Sequence, residues 1–492
     1  MSFTSSIFLI IFLPICFFFF VLSNEKYRNP ILLIASVVFY FWCGLHFLIL
    51  LLISAAIAYI IGRAIERSSS VAVKKTILIV GIVYGVGNLF YYKYFYDLIS
   101  FLIQIPSFAS LGNIFQHGSV LLPLGISFYT FSILSYILDV YWEKCAAQHN
   151  IIDLFLYVMF FPRVIQGPIM RYSDFEQQLK TPEVSIKKMD AGLQRFVIGM
   201  FKKLIIADQL IDLVNYSFSG IASVGTIPAW LSIIAYLFQL YFDFSGYSDM
   251  AFGMGLMFGF KIPENFDHPY MSETVSEYWR RWHITLGAWF RDYLYMPLYR
   301  FFLEKRLFSG KHRMLYIDLA ALFITWILDG IWHGSGFKFF VYGLWWVAFM
   351  FIERISDYHK KLIRKRKKLP KKPESLPEKI GKHIMTIFAI FLGQIIFRAD
   401  SLATAIEYIK RMFVWNTQDG WLFLAKLNNS TVLALALGFI FIFPVWAFIK
   451  KHVFERNMAM QVVYRGVLVF VFLVSFLYSV GAGYAPFLYQ VF

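Results

Sequence analysis

Apolar runs of membrane-spanning length recur along this chain and restrict what it can fold into. Of its 492 residues, 59% are apolar and 15% are charged, and the mean hydropathy is +0.62. Runs such as LILLLISAAIAYIIG and GVLVFVFLVSFLYSV approach the roughly 20 residues that cross a hydrocarbon core as helix. Lipid offers the backbone no hydrogen bonds, and the alternating pattern of a barrel is absent, so these segments are expected to be helical. The sequence predicts an all-α polytopic membrane protein with roughly ten to twelve spans, forming one domain over residues 1–492.

The basic side chains indicate how the chain is oriented. The net charge is +16, and Lys and Arg concentrate in the connections 300–313, 364–373 and 450–456. The positive-inside rule assigns such connections to the cytoplasm, so the last helix runs outward and the C-terminus is expected outside. For 364–373, attraction of an acidic donor protein or of anionic lipid is the alternative to a topological anchor. We expect contact with membrane lipids and no binding of nucleic acid.

Three stretches bear on the course of the chain. The first, SIFLIIFLPICFFFFVL, lacks a basic start and a cleavage site, which predicts a retained helix. Residues 30–62 fit either one long tilted helix or two short ones broken at Trp42, Cys43 and Gly44. The polar stretch 170–188 is typical of an interfacial loop or amphipathic helix on the cytoplasmic side.

The sequence does not predict a disulfide framework or a metal centre. Cys16, Cys43 and Cys145 stand apart without CxxC spacing, so we interpret them as packing residues. The histidines described next have no third ligand at recognisable spacing. We expect no metal and no bound cofactor.

Two histidines in apolar, Trp-rich surroundings are the candidate catalytic residues. His283 stands in EYWRRWHITLGAWF and His333 in TWILDGIWHGSGF. A titratable group inside a membrane segment is costly, which makes it a hypothesis for a functional site. Asp329 precedes His333 by four residues and shares its helical face, where a carboxylate can orient an imidazole that acts as a base. Satisfied core histidines are the alternative.

Small residues surround the second histidine. Gly330, Gly334 and Gly336 leave room beside it for another backbone or for a thin substrate.

The segment before and after His283 is dense in charge and aromatic rings. Charge as dense as that of Glu277, Arg280, Arg281, His283, Arg291 and Asp292 cannot face acyl chains, so we expect this segment to line a water-filled cavity or its rim. The candidates for substrate contact in it are Trp279, Arg280, Arg281 and Trp282. Trp332 is assigned to the same candidate set. Interfacial snorkelling is the alternative for the two arginines.

Carboxylates also interrupt the apolar stretch QLYFDFSGYSDMAFGMGLMFGF. Asp243 and Asp249 need partners inside the bundle, and Asp243 is a candidate for substrate contact, with a structural polar network as an equal alternative. Four small residues in this stretch, Gly246, Gly253, Gly255 and Gly259, allow close approach of another helix.

A series of motifs follows along the chain: LPLGISFYTFSILSYILDVY, FFPRVIQGPIMRYSDF, QLYFDFSGYSDMAFGMGLMFGF, ENFDHPYMSETVSEYWRRWHITLGAWFRDYLYMPL, DGIWHGSGFKFFVYGLWW and FLGQIIFRADSLATA. In this order they resemble the membrane-bound O-acyltransferase (MBOAT) superfamily and, within it, the alginate O-acetyltransferase branch.

The resemblance implies a multi-helix ring with re-entrant or interfacial helices, thinned by cytoplasmic and external funnels that meet at His333. It implies His333 as the general base, and His283 as a residue that positions the donor or stabilises the oxyanion. The implied donor is acetyl-CoA or an acyl carrier thioester in the cytoplasm, and the acceptor is presented outside. The implied location is the inner membrane of a bacterium.

The last six residues suggest an acceptor of the acyl group. Phe487, Tyr489 and Phe492 spell F-x-Y-x-x-F, similar to a motif on a separate small protein of the teichoic-acid D-alanylation machinery. We expect Tyr489 to accept the acyl group and to pass it to an external SGNH-type O-acetyltransferase that modifies a polysaccharide or cell-wall polymer. The alternative for the motif is an interfacial aromatic anchor. The alternatives for the protein's function are D-alanyl transfer to teichoic acid, or a transporter or scramblase.

Overall fold

All regular secondary structure in the described residues is helical. The computed structural model describes residues 1–108, 110, 121–180, 182, 184–221, 224–368, 370, 374–417, 420–481 and 486–487. No strand occurs among them, which confirms the predicted all-α class.

The chain divides into two compact units. Unit 1 comprises Met1–Met200, Gly246–Pro263 and Val471–Phe492, and unit 2 comprises Phe201–Ser245 and Glu264–Phe470. The α-helices that begin in the first segment of unit 1 are Leu13–Leu22, Glu25–Phe41, Leu45–Arg67, Val71–Phe90, Tyr96–Ile103, Ile126–Tyr141, Ile151–Met159, Tyr172–Lys180 and Ile186–Phe201.

The remaining α-helices begin in unit 2. The α-helices are Ile211–Ser219, Thr226–Met257, Val275–Arg281, Ile284–Phe290, Met296–Glu304, Arg313–His333, Phe337–Lys367, Leu376–Arg398, Leu402–Phe413, Gly420–Leu424, Asn429–Phe441, Val445–Ile449 and Met458–Gly481. Turns of π-helix lie at Ile7–Phe12, Tyr91–Phe95, Lys202–Ala207, Arg291–Tyr295 and Lys450–Phe454, and 3₁₀ turns lie at Pro106–Phe108, Asp208–Leu210 and Pro269–Met271.

The candidate membrane spans in the described residues are fewer than the ten to twelve expected. Seven helices are long and apolar enough to cross a membrane, and a pair bent by 71° gives an eighth if it forms one span. The count is lower because the apolar runs Ile7–Leu22 and Ile126–Tyr141 form shorter helices. The run at 160–170 is buried and irregular, so it is not a span either.

The structure resolves two of the open points in unit 1. The stretch 30–62 contains two helices, which break at Trp42–Gly44, where Gly44 has a φ of 119° that favours glycine. The polar stretch 170–188 contains the helix Tyr172–Lys180, whose Tyr172, Phe175 and Leu179 are buried on one side. An amphipathic helix is therefore confirmed there.

Glycines bring two helical segments of unit 1 into backbone contact. A Cβ on Gly199 would lie 2.6 Å from the carbonyl oxygen of Gly246 and 2.8 Å from the amide nitrogen of Met250. Gly192 and Gly253 oppose each other in the same way, roughly two turns away along both helices. The expected close approach at the small residues is thus confirmed, and Arg195 bridges it with a 2.7 Å ion pair to Asp249.

A second glycine contact joins Arg313–His333 to Phe337–Lys367 in unit 2, and we call these two helices the hairpin. A Cβ on Gly343 would lie 2.6 Å from the carbonyl oxygen of Trp326, and one on Gly330 would meet the carbonyl oxygen of Phe339. The Phe339 ring covers Gly334. Of the two occupants expected beside these glycines, the neighbouring backbone is therefore the one observed at Gly330.

We expect Gly199→Ala to destabilise the protein by about 1–3 kcal/mol, because the new methyl group meets backbone atoms, which cannot move away by a change of rotamer. Thermal unfolding of the purified protein in detergent measures the change. Gly87→Ala is the matched control, since a Cβ at Gly87 meets nothing within 4 Å and alanine favours helix. Equal melting temperatures for the two variants would contradict the packing described.

Candidate active site

A carboxylate from the hairpin holds the short helix that leads to His283. The backbone amides of Val275 and Ser276 donate to the Oε1 and Oε2 atoms of Glu353 at 2.6 and 3.0 Å. The hydroxyl of Thr274 also accepts from the Glu277 amide at 3.1 Å. These bonds satisfy the otherwise unpaired amides of a helix N-terminus, so Val275–Arg281 is fixed against the hairpin.

His283 lies buried at the junction of two short helices. Its φ and ψ of 45° and 52° are left-handed, which is uncommon for a residue with a side chain. Its Nδ1 lies 3.1 Å from Oδ1 of Asn265, and the ring of Phe244 contacts it edge-on at 4.7 Å. Burial lowers the pKa of His283 to about 3, so the ring is neutral at physiological pH.

A cavity of about 460 Å³ opens beside this junction within unit 2. One face of the helix Arg313–His333 contributes to its wall at successive turns, through Leu322, Thr325, Trp326 and Asp329. The lining residues are Ser276, Trp279, Arg280, His283, Ile284, Leu286, Gly287, Ala288, Phe290, Arg291, Tyr295, Leu322, Thr325, Trp326, Asp329, Met350 and Arg354. The cavity therefore joins apolar and aromatic walls to a carboxyl group, an imidazole and three guanidinium groups.

The guanidinium groups lie on exposed residues. Arg291 pairs with Asp292 at 2.7 Å, and Arg354 lies 3.7 Å from Asp318. Asp318 also accepts a hydrogen bond from the hydroxyl of Tyr295. Arg291 and Tyr295 are the ends of one π-helical turn, a local widening of the helix that is frequent at functional sites.

His333 is the last residue of its helix and is buried beside Asp329. The His333 Nε2 and the Asp329 Oδ2 are 3.9 Å apart, which confirms the shared helical face but exceeds a hydrogen bond. The rings of Phe397 and Tyr342 contact the imidazole at 5.0 and 5.7 Å. The end of a helix stabilises positive charge, and so does the nearby carboxyl group, so this imidazole is placed to accept a proton.

The aromatic candidates occupy different places. Trp279 lines the cavity and contacts Trp326 at 4.6 Å. Trp282 packs in an aromatic core, stacked on Tyr278 at 5.8 Å, and is not among the lining residues. Trp332 contacts the His333 ring at 4.7 Å.

The charged candidates also differ. Arg280 lines the cavity, whereas Arg281 pairs with Glu277 at 2.8 Å. Asp243 forms a 2.6 Å ion pair with Lys203, and both side chains are buried. This pair supports the structural interpretation of Asp243.

Tyr489 lies outside the described residues, as does Phe492. Phe487, in the same motif, is buried in unit 1 and contacts the Tyr247 ring edge-on at 5.0 Å. Tyr247 in turn stacks on Phe3 at 4.7 Å. The first aromatic residue of the tail motif is therefore packed in an aromatic cluster.

Sequence reasoning missed Asn265, Trp326 and Arg354. Trp326 and Arg354 are far along the chain from His283, and neither stands in a distinctive motif. Only the packing of the chain identifies the three residues as parts of the site. The one available signal was the polar segment ENFDHPY before the histidine.

The described residues contain three free cysteines and no group of three His, Cys, Asp or Glu side chains that could hold a metal ion.

Known proteins resemble this chain over most of its length. The MBOAT, membrane-bound O-acyltransferase family, matches residues 143–364. A probable alginate O-acetylase of Pseudomonas aeruginosa is 38% identical over 89% of this chain and 79% of that protein. One from Pseudomonas putida is 34% identical over 99% of both chains. A peptidoglycan O-acetyltransferase of Helicobacter pylori is 30% identical over 88% of this chain and 84% of that protein.

We expect the neutral His283 to make folding stability fall in acid. The unfolded chain, where histidine titrates near 6.5, binds a proton that the folded chain does not take up until the pH approaches 3. Stability from this residue is therefore complete above about pH 6.5 and falls by about 2 kcal/mol between pH 7 and pH 5. Unfolding of wild type and His283→Gln at both pH values measures the difference. An identical pH dependence in the two proteins would contradict the burial of a neutral ring.

Proposed function

This chain belongs to the membrane-bound O-acyltransferase family, and we propose that it transfers acetyl groups from a cytoplasmic thioester to an acceptor outside the membrane. The protein is a multi-pass membrane acyltransferase. Its location in the bacterial inner membrane, the external C-terminus and the nature of the acyl group belong to the proposal. The relatives named for O-acetylation of alginate and of peptidoglycan support it, and the final polymer is a polysaccharide or cell-wall component of this kind.

The observation that carries the proposal is the His333–Asp329 pair, whose Asp329 lines a cavity that Arg280, Arg291 and Arg354 also line. Nε2 of His333 faces Asp329, so Nδ1 is the atom that acts as base. It takes the proton of the acceptor hydroxyl as that oxygen attacks the thioester carbonyl. A carbon–oxygen bond forms, the carbon–sulfur bond breaks, and the proton passes from the imidazolium to the leaving thiolate. Asp329 stabilises the transient imidazolium.

The cavity suits a donor with phosphate at one end and a thioester at the other. Arg354 pairs with Asp318, which precedes Asp329 by eleven residues of one helix, or roughly 16 Å along its axis. Guanidinium groups bind phosphate oxygens through paired hydrogen bonds. The wall between the two ends includes Leu322, Trp326 and Met350, which suits an uncharged arm. Acetyl-CoA and an acyl carrier protein both present this chemistry.

The acceptor is proposed from the tail motif. Tyr489 takes the acetyl group as a phenyl ester, and an external SGNH-type O-acetyltransferase then removes it for transfer to the polymer. Phenolate is a good leaving group because its conjugate acid has a pKa near 10. Phe487, the first residue of the motif, is buried against Tyr247.

Replacing the proposed base tests the function. We expect His333→Gln to lower acetyl transfer by about 10²–10⁴-fold, because the hydroxyl loses its proton acceptor. The assay follows radiolabelled acetyl groups from acetyl-CoA, or from an acetylated carrier protein, into purified enzyme and polymer. His452→Gln controls for loss of a histidine, since His452 is exposed and bonds only locally to the Phe448 carbonyl. A His333→Gln protein that inserts normally and keeps wild-type transfer would disprove the assignment.

The relay predicts a covalent intermediate on the tail. After incubation with labelled donor, mass spectrometry is expected to place the acetyl group on Tyr489. Tyr489→Phe is expected to lose the label, and His333→Gln to lose it as well. Tyr478→Phe, eleven residues earlier, is the matched control and is expected to remain labelled. Undiminished labelling of the Tyr489→Phe protein would rule out the relay.

A further inference from the structure

Asn265 holds His283 through both its backbone and its side chain. The Ile284 amide donates to the Asn265 carbonyl oxygen at 2.9 Å. The Thr285 amide and hydroxyl donate to Oδ1 of Asn265 at 3.2 and 2.8 Å. A left-handed residue such as His283 persists only where its surroundings determine it, and these bonds do so from the two residues that follow it.

The same bonds identify the atoms of the Asn265 amide. A backbone N–H can only donate, so the side-chain atom that accepts from the Thr285 amide is the oxygen and not the nitrogen. His283 Nδ1 lies 3.1 Å from that oxygen. Two acceptors cannot share a hydrogen bond, so Nδ1 carries the proton. In a neutral imidazole Nε2 then carries the lone pair.

The surroundings keep the ring neutral. His283 is 1% exposed and packs against Phe244 from the helix Thr226–Met257. The cationic groups that line the same cavity, those of Arg280, Arg291 and Arg354, disfavour a further positive charge, and Asp329 is the acidic group among the lining residues.

We propose that Asn265 is a positioning residue that holds His283 as the Nδ1–H tautomer, so that Nε2 serves acyl transfer as a hydrogen-bond acceptor. The inference rests on the proposed function of the cavity and deepens it. The two roles expected for His283 were to position the donor and to stabilise the oxyanion. A lone pair does not stabilise an oxyanion, so His283 positions the donor. The matching substrate groups are N–H or O–H donors, such as the amides of the arm of a phosphate-bearing thioester.

The tautomer is measured directly by ¹⁵N NMR of ring-labelled histidine in the full-length protein without substrate. The His283 signals, assigned by their loss in His283→Gln, are expected to show a protonated Nδ1 and an unprotonated Nε2. The opposite pattern, or a doubly protonated ring at pH 7, overturns the proposal. This measurement needs no activity, so it holds or fails separately from the proposed function, which is tested at His333.

Kinetics distinguish positioning from a merely structural role. Asn265→Asp keeps an acceptor oxygen beside Nδ1 but adds a negative charge, which raises the pKa of His283. Protonation of the base His333 sets an acid limb in both proteins, so the quantity to measure is the ratio of kcat/KM in Asn265→Asp to that in wild type. This ratio is expected to fall as the pH is lowered, because Nε2 becomes protonated and no longer accepts. Asn457→Asp is the control, since Asn457 is exposed and caps a local turn through Met460. A ratio that does not change with pH overturns the proposal.

A second variant removes the acceptor. Asn265→Leu is expected to lower kcat/KM by about 10–100-fold at every pH, a loss typical of the partners that orient a functional histidine. Wild-type kcat/KM in this variant overturns the proposal. If Asn265→Leu does not fold, the NMR measurement and Asn265→Asp still decide the question.

Discussion

The cost of removing polar groups from water shapes both units of this protein. A charge in an apolar interior is tolerated when a partner of opposite charge or several hydrogen bonds replace the lost water. Lys203 meets Asp243 in unit 2, and Arg195 meets Asp249 in unit 1, each across 3 Å or less. Arg163 of unit 1 donates instead to the Ser132 hydroxyl and lies over the Tyr157 ring. These partners tie segments together that are distant along the chain.

The same constraint gives the two histidines different chemistry. His283 is enclosed by an amide oxygen and an aromatic ring, which favours a neutral imidazole with a defined tautomer. His333 stands at the end of a helix beside a carboxyl group, which favours the imidazolium that forms when a base takes up a proton. Histidine appears twice in similar Trp-rich sequence, but the surroundings and not the residue type decide the role.

Local patterns predicted the parts of the site that lie on one helix. The four-residue spacing of Asp329 and His333 was sufficient to place them on one face, since helical geometry is regular. The all-helical class followed from apolar length in the same way. Trp279 and Trp282, by contrast, are three residues apart but separate into cavity wall and aromatic core, because the helix that holds Trp279 is short and ends at Arg281, before Trp282. Asn265 and Arg354 reach the site through packing of distant segments, which no spacing rule describes.

The hairpin has a consequence for the lipid in which the protein works. A span adapts to a thinner or thicker bilayer mainly by tilting. At Gly330 and Gly343 backbone lies directly against backbone, so at these points no side chain can rearrange between the two helices when one of them tilts. The hairpin therefore tilts as one body and carries His333, Asp329 and its share of the cavity wall with it. We therefore expect changes in lipid chain length to be absorbed by the orientation of the hairpin, with the distance between these two side chains preserved.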